Sequence, residues 1–486
     1  MKKILSLIIA FVIVLGIAAS PVSAASEAPE ITAEAGIVMD LTTGEYLYTK
    51  NPDEKLYPAS TTKLLTSIIV IENVSLGTML TADDEVASTT GSRLGMRAGE
   101  QISAKDALNM MLVGSCNDLA VLFAKHVSGS VAEFAKLMNE KAAEIGCTAS
   151  HFVNPNGLHD DDHYTTARDL SLIARYCMQN PAFAAVVKQP EYTYERGSGA
   201  QKPGEAVTMT STNWLLSNDS TVMYVGNDRR TPKYGPEAGD LGTCIGIKTG
   251  STPEALGVLV AAAEKDETSI LTIVMKSDGD TSGIYERFVD TIKLLNWGLA
   301  NFKTYSVMKM GTELGTVKVK RGEVNTVPVV LATDIYTSLE SSQTGDNITT
   351  EVTLDDSVKA PVNRGTVCGK LYVSKDGNRI GEYDIVTASA IKKGGILSIF
   401  GIPDKTAKKI FSTIITVIVL IVVLFVAYIV YLKIKSDRIK KRKAARAKAR
   451  EEQRKRDLLE GNPYDNYLKR SSDSGSGYVS KDEQKN

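Results

Sequence analysis

Two long apolar runs frame the chain. Residues 4–19 follow the basic start Met1-Lys2-Lys3, and Val22-Ser23-Ala24 places small residues where a signal peptidase reads. That order predicts a secretory signal over residues 1–24. Residues 410–432 carry no charge. At 1.5 Å per residue they reach about 35 Å, enough to cross a hydrocarbon core as one transmembrane helix.

Between the runs the period changes. Residues 35–40 and 46–48 read as two strands joined by a turn at Thr42-Thr43-Gly44. From Ser60 on the spacing turns helical. Leu64, Leu65, Ile68, Ile69 and Ile71 form one apolar face, and Ala107, Leu108, Met111 and Leu112 another. Residues 132–145 and 167–178 continue that character. The β-branched runs 244–248, 256–263 and 269–275 then predict three successive antiparallel strands, closed by a helix over 287–299. An early hairpin, helices and a late meander predict an α+β domain over 25–301, with helices around one central antiparallel sheet.

Residues 302–393 predict a small all-β domain. Thr316-Val317-Lys318-Val319-Lys320 alternates strictly, and Asp376-Gly377 between two short apolar strands is a hairpin signal. Residues 394–409 read as a linker to the span, and 433–486 as a basic, disordered tail.

With a formal net charge of -1 the whole molecule is not an obvious nucleic-acid binder. Ten of its Lys/Arg lie within 433–450, against the single acid Asp437. Positive charge beside a span marks the cytoplasmic side. This places the tail in the cytoplasm and the folded domains outside the cell membrane. Cys116, Cys147, Cys177, Cys244 and Cys368 make neither a CxxC pair nor a metal pattern. An odd number leaves at least one free thiol, and most of them read as small buried apolar residues. His159 and His163 have HxxxH spacing, but they sit in an acid-rich turn and predict no metal. Arg168 and Asp169 read as a pair that starts a helix. No cofactor is expected.

Three short motifs occur in order: Ser60-Thr61-Thr62-Lys63, Ser115-Cys116-Asn117 and Lys248-Thr249-Gly250. Ser-x-x-Lys also occurs at Ser306 and Ser389, in the β region, where positions i and i+3 face opposite ways. At Ser60 a helix begins instead, so Lys63 lies one turn along on the same face. A serine oxygen is a weak nucleophile until a base takes its proton, and a desolvated lysine beside another cation can do so near neutral pH. Lys248 supplies that cation, or attracts a substrate carboxylate. Thr249 adds a donor, and Gly250 lets a ligand approach the strand. An extended peptide could add to that edge. The backbone N–H groups of Ser60 and Ser251 are candidates for an oxyanion hole.

These motifs resemble those of the penicilloyl-serine transferase superfamily. Within it the chain resembles low-molecular-mass penicillin-binding proteins, the serine-type D-alanyl-D-alanine carboxypeptidases of the S11 type. Tyr57-Pro58-Ala59 before Ser60, Asn156-Gly157-Leu158 with His163-Tyr164-Thr165-Thr166, and Gly246-Ile247 before Lys248 extend the likeness over residues 32–432. The resemblance implies that Ser60 is acylated and that Lys63 is the base. It implies that Ser115 relays a proton to the leaving D-alanine. Asn117 would hold the substrate amide, and Lys248 and Thr249 the terminal carboxylate. The substrate would be a peptidoglycan stem peptide, and β-lactams would acylate the same serine.

Cys116 stands where the family often has Gly, which predicts oxidation-sensitive activity. Leu256 also stands at a position where Gly is expected, and residues 217–242 predict a longer loop near the site. The alternatives are a β-lactamase, an endopeptidase with the same nucleophile, and a non-enzymatic β-lactam sensor or scaffold. A class A β-lactamase needs a Glu for the deacylating water, and no Glu-x-x-x-Asn lies between Asn117 and Lys248.

Overall fold

The computed structural model describes residues 26–216, 242–277 and 286–459. The expected signal peptide, nearly all of the 217–242 loop and the tail beyond Leu459 lie outside the described residues.

The first elements are β1 (Ala35–Asp40), β2 (Tyr46–Lys50) and a 3-10 turn at Ala59–Thr62 that runs into α1 (Lys63–Asn73). The hairpin strands β3 (Met79–Thr81) and β4 (Gln101–Ser103) flank the short α2 (Asp84–Ser88). Then come α3 (Ala104–Val113), α4 (Asn117–Ser128), α5 (Val131–Ile145), α6 (Ala167–Met178) and α7 (Pro181–Val187). A second hairpin, β5 (Glu191–Glu195) and β6 (Ala206–Thr210), precedes β7 (Thr243–Thr252), β8 (Leu256–Lys265), β9 (Thr268–Ser277) and α8 (Glu286–Asn301).

Strands β2-β1-β9-β8-β7 form an antiparallel sheet with β7 at one edge. Side chains alternate across its two faces. Val258, Val260 and Ala262 pack with Leu271 and Ile273 into the cluster that holds α1, α3 and α4. Leu259 and Ala261 pack the other way with Ile270 and Val274, against Phe288, Leu294 and Leu295 of α8. Helix α1 is buried from Lys63 to Val70. A helix with no wet face is a core helix, and that burial forces Lys63 out of water. Asp290 on α8 accepts from Thr32 N at 3.1 Å and Ala33 N at 2.9 Å, which ties the start of the described chain to the sheet's back layer.

The remaining strands are β10 (Phe302–Met308), β11 (Glu313–Lys320), β12 (Thr326–Leu331), β13 (Ile335–Glu340), β14 (Ile348–Leu354), β15 (Ser357–Lys359), β16 (Val367–Lys375) and β17 (Asn378–Thr387). Strands β16 and β17 flank Asp376 and Gly377, at φ 51° and 77°, the left-handed pair a two-residue hairpin requires.

The chain gathers into two compact units, 1–315 with 329–354 and 369–386, and 316–328 with 355–368 and 387–486. In the first, Asp40 Oδ2 accepts from Thr304 Oγ1 at 2.8 Å and Ser338 Oγ at 2.9 Å. In the second, Val319, Val327, Ala360, Val362 and Ile391 form a small core.

The second unit ends in α9, Asp404–Leu459. Residues 394–409 hold a 3-10 turn over Ile396–Phe400 and the start of the helix at Asp404. One expectation changes here. The tail is not disordered from Lys433, because the helix continues to Leu459. Ala, Lys, Arg and Glu are all strong helix formers, so a charged run of them extends a helix that is already nucleated.

Candidate active site

The site forms where α1, α4 and β7 converge. Lys63 Nζ lies 2.9 Å from Ser60 Oγ, 2.7 Å from Asn117 Oδ1 and 2.7 Å from the carbonyl of Asn156. Lys63 is fully buried. Burial first, and then the nearby Lys248 charge, hold its pKa well below the ordinary lysine value. Two of its three contacts are pure acceptors. A neutral amine can donate to both and still offer its lone pair to the Ser60 hydroxyl. The geometry therefore suits proton removal from Ser60, within reach of a general base.

Ser115 sits at φ 59°, which turns its side chain toward the second lysine. Lys248 Nζ donates to Ser115 Oγ at 3.0 Å and to the Thr249 carbonyl at 3.0 Å. Burial first, and the nearby charge of Arg287 with it, lower Lys248 to about 7. Two ammonium groups in one dry pocket disfavour each other, so a proton on either favours the neutral amine at the other, the form that can accept a proton near neutral pH. Thr249 Oγ1 donates to Thr212 Oγ1 at 2.6 Å.

Close backbone approach builds the pocket. A Cβ on Gly250 would lie 2.9 Å from the Pro58 carbonyl oxygen and 3.2 Å from Ser60 N, so glycine is what lets β7 lie against the serine turn. Ser60 is half-buried, while Ser251, next along β7, is exposed. The open edge of β7 thus runs past the nucleophile.

All the residues picked from the motifs except Ser251 are tied into this cluster by contacts at the atoms described. Several others were not legible as site residues. Asn156 contributes a main-chain oxygen, which carries no side-chain signature. Asp118 is buried and accepts from Leu94 N, Gly95 N and Met96 N, pinning the loop whose Thr90 carbonyl accepts from Asn117 Nδ2. Arg287 Nη1 donates to the Gly250 carbonyl at 3.2 Å. Its signal was a lone arginine in the first turn of a mainly apolar helix, and burial is what gives it meaning.

His163 accepts from Val153 N at Nδ1 (3.1 Å), so Nε2 carries the proton and donates to Thr62 Oγ1 at 2.8 Å. Burial pushes it down to about 4, so it braces the serine turn as a neutral ring. Asp169 accepts from Ala149 N at 2.8 Å, and Arg168 pairs with Asp53 at 2.6 Å, so both hold loops rather than substrate.

Cys116 overturns one expectation. It is fully buried, and burial raises its thiol to about 12. A thiol without thiolate character is a poor target for oxidants. Leu256 adopts φ 52° at the start of β8, the left-handed conformation that glycine fills without strain.

Comparisons with known proteins point the same way. A family model described as D-alanyl-D-alanine carboxypeptidase matches residues 22–227, and one described as the C-terminal domain of penicillin-binding protein 5 matches 302–393. A D-alanyl-D-alanine carboxypeptidase of Streptomyces sp. strain K15 is 31% identical over 294 residues, covering 58% of this chain and 92% of that protein. The carboxypeptidase DacF of Bacillus subtilis is 27% identical over 371 residues, covering 75% and 87%. The crystal structure of penicillin-binding protein 5 from Haemophilus influenzae superposes with a TM-score of 0.59 at 26% identity, covering 75% of this chain and 99% of that one.

Proposed function

The chain belongs to the D-alanyl-D-alanine carboxypeptidase family, and we propose that Ser60, Lys63 and Ser115 carry its reaction while Asn117, Lys248, Thr249, Gly250 and Ser251 hold the substrate. The protein is a serine-type hydrolase that removes the terminal D-alanine of a peptide ending in D-alanyl-D-alanine.

Lys63 Nζ takes the Ser60 proton, and Oγ attacks the carbonyl of the penultimate D-alanine. The N–H groups of Ser60 and Ser251 receive the developing oxyanion. Lys248 and Thr249 hold the terminal carboxylate, and Asn117 the substrate amide. Ser115, bonded to Lys248, passes its proton to the departing amine and takes one back from the lysine pair, so that D-alanine leaves with Lys63 neutral again. Lys63 then takes a proton from the water that attacks the Ser60 ester and returns it to Ser60 Oγ as the shortened peptide leaves. The observation that carries this reading is the Lys63 amine, bonded to Ser60 Oγ and to two acceptors in a buried pocket. A stem pentapeptide of peptidoglycan is the proposed substrate, and β-lactams are proposed to trap the same ester.

The domain limits proposed are 25–301 for the catalytic domain and 302–393 for the β-rich domain. The helix of Asp404–Leu459 is long and apolar enough to cross a membrane. We propose that 410–432 spans it, with the catalytic domain outside and the basic end in the cytoplasm. A signal at 1–24 and the lysines and arginines after Leu432 support that orientation.

The reading is tested with wild type and Ser60→Ala on a pentapeptide ending in D-alanyl-D-alanine. D-Alanine release by wild type alone is expected. Penicillin labelling without release would favour a sensor and sink the hydrolytic role.

A further inference from the structure

The stretch between the β-rich strands and the membrane span is a shaped element with its greasy side out. Gly395 and Gly401 cap a 3-10 turn over Ile396–Phe400. Positions three apart eclipse in such a turn, so Ile396 and Ile399 share an edge with Phe400 beside them. Their exposures are 81%, 58% and 77%, while Ser398 faces inward at 4%. Soluble surfaces seldom cluster large apolar side chains in this way.

The turn is held firmly to its own unit. Ser398 Oγ donates to the Gly395 carbonyl at 2.6 Å, and Gly395 N to Asp404 Oδ1 at 2.8 Å. Asn325 Nδ2 donates to the Gly401 carbonyl at 2.9 Å, Asp404 N to the Glu323 carbonyl at 3.1 Å, and Gly394 N to the Arg321 carbonyl at 2.9 Å. Such bonding fixes where the three side chains point.

We propose that the turn Ile396–Phe400 is a second membrane contact, a wedge seated in the headgroup layer of the leaflet that the helix then enters. The inference rests on the reading of 410–432 as a span. Continuity names the occupant. From Asp404 to Ile410 the helix rises about 9 Å, comparable to the roughly 5–8 Å headgroup layer on each side of a hydrocarbon core. A span beginning at Ile410 therefore leaves Asp404 near the outer limit of that layer, and the large apolar side chains of the turn reach back into it toward the acyl chains. Lys392, Lys393, Lys405, Lys408 and Lys409 flank the turn, and all are exposed. They suit anionic phospholipid headgroups, with long stems able to snorkel. The wedge and the span together would fix the second unit to the surface at two points rather than leave it on a tether.

The test uses the full chain in vesicles of phosphatidylglycerol and phosphatidylcholine brominated on its acyl chains. Phe400→Trp adds one indole, and subtracting the wild-type signal removes Trp214 and Trp297. Acyl-chain bromine is expected to quench most of the added emission, and acrylamide in the water little of it. Quenching by acrylamide instead would overturn the wedge. Protection from both quenchers would also overturn it, because a second copy would then cover the turn. An alkaline carbonate wash separates the two readings. If the chain washes off, the span itself fails. If it stays but bromine does not quench, only the wedge fails. Unchanged D-alanine release from a soluble peptide confirms that the variant is folded.

Discussion

Lys63→Met should slow acylation of Ser60 by about 10²–10⁴-fold, the usual contribution of a positioned general base. The substitution keeps a long unbranched side chain in the core but removes the amine that bonds Ser60 Oγ, Asn117 Oδ1 and the Asn156 carbonyl. A loss of packing alone would not change how the rate depends on pH. Loss of the base would. In wild type, burial and the Lys248 charge hold Lys63 well below its ordinary value, so acylation should rise with pH across a limb that lies well under pH 10.5. That limb should vanish in Lys63→Met. A penicillin label followed against time over a pH series reads both quantities. A variant that kept the wild-type limb would remove Lys63 from the role of base.

Gly157→Ala should be nearly as damaging, although Gly157 touches no substrate in the proposed mechanism. Its φ is +80°, and a Cβ there would lie 1.8 Å from the Ala59 carbonyl oxygen and 2.3 Å from the Ala59 carbonyl carbon. Those are backbone atoms of the turn that presents Ser60, so they cannot swing aside as a flexible side chain could. Left-handed strain costs about 1–3 kcal/mol and overpacking about as much again, so a loss of roughly 3 kcal/mol or more is expected. If the turn moves instead, a displacement near 1 Å costs about 10²-fold in rate. Gly129→Ala is the control. It has φ +79° with nothing within 4 Å of the added Cβ, so it carries the strain without the collision. Thermal unfolding and penicillin labelling of both variants separate the two effects. Equal behaviour of the pair would mean that the contact with Ala59 does not matter.

The parts of the site that the sequence announced are those with local rules behind them. A spacing of three on a helix puts Ser60 and Lys63 together, whatever else surrounds them. Asp376-Gly377 predicted its hairpin because few residue pairs accept two left-handed conformations. The apolar runs 256–263 and 269–275 predicted their strands by length and β-branching.

What stayed hidden depends on contacts distant in sequence. Asn156 acts through its carbonyl, and any residue has one. Arg287 and Asp118 look like ordinary surface charges until the fold buries them. Cys116 was expected to be reactive from adjacency alone, whereas its reactivity is decided by burial. The 3-10 turn at Ile396–Phe400 was hidden because Gly395 and Gly401 read as linker residues. They are its caps. The run after Leu432 is so highly charged that its composition suggests disorder, yet its Ala, Lys, Arg and Glu residues are strong helix formers that extend the helix to Leu459.

The central claim is that Ser60 is the residue acylated. Treating the full chain with penicillin, digesting it and mapping the adduct by mass spectrometry tests this directly. The account predicts the whole adduct on the peptide that contains Ser60, and none after Ser60→Ala. An adduct on the peptide that carries Ser115, or at Ser306 or Ser389 in the other Ser-x-x-Lys segments, would contradict it.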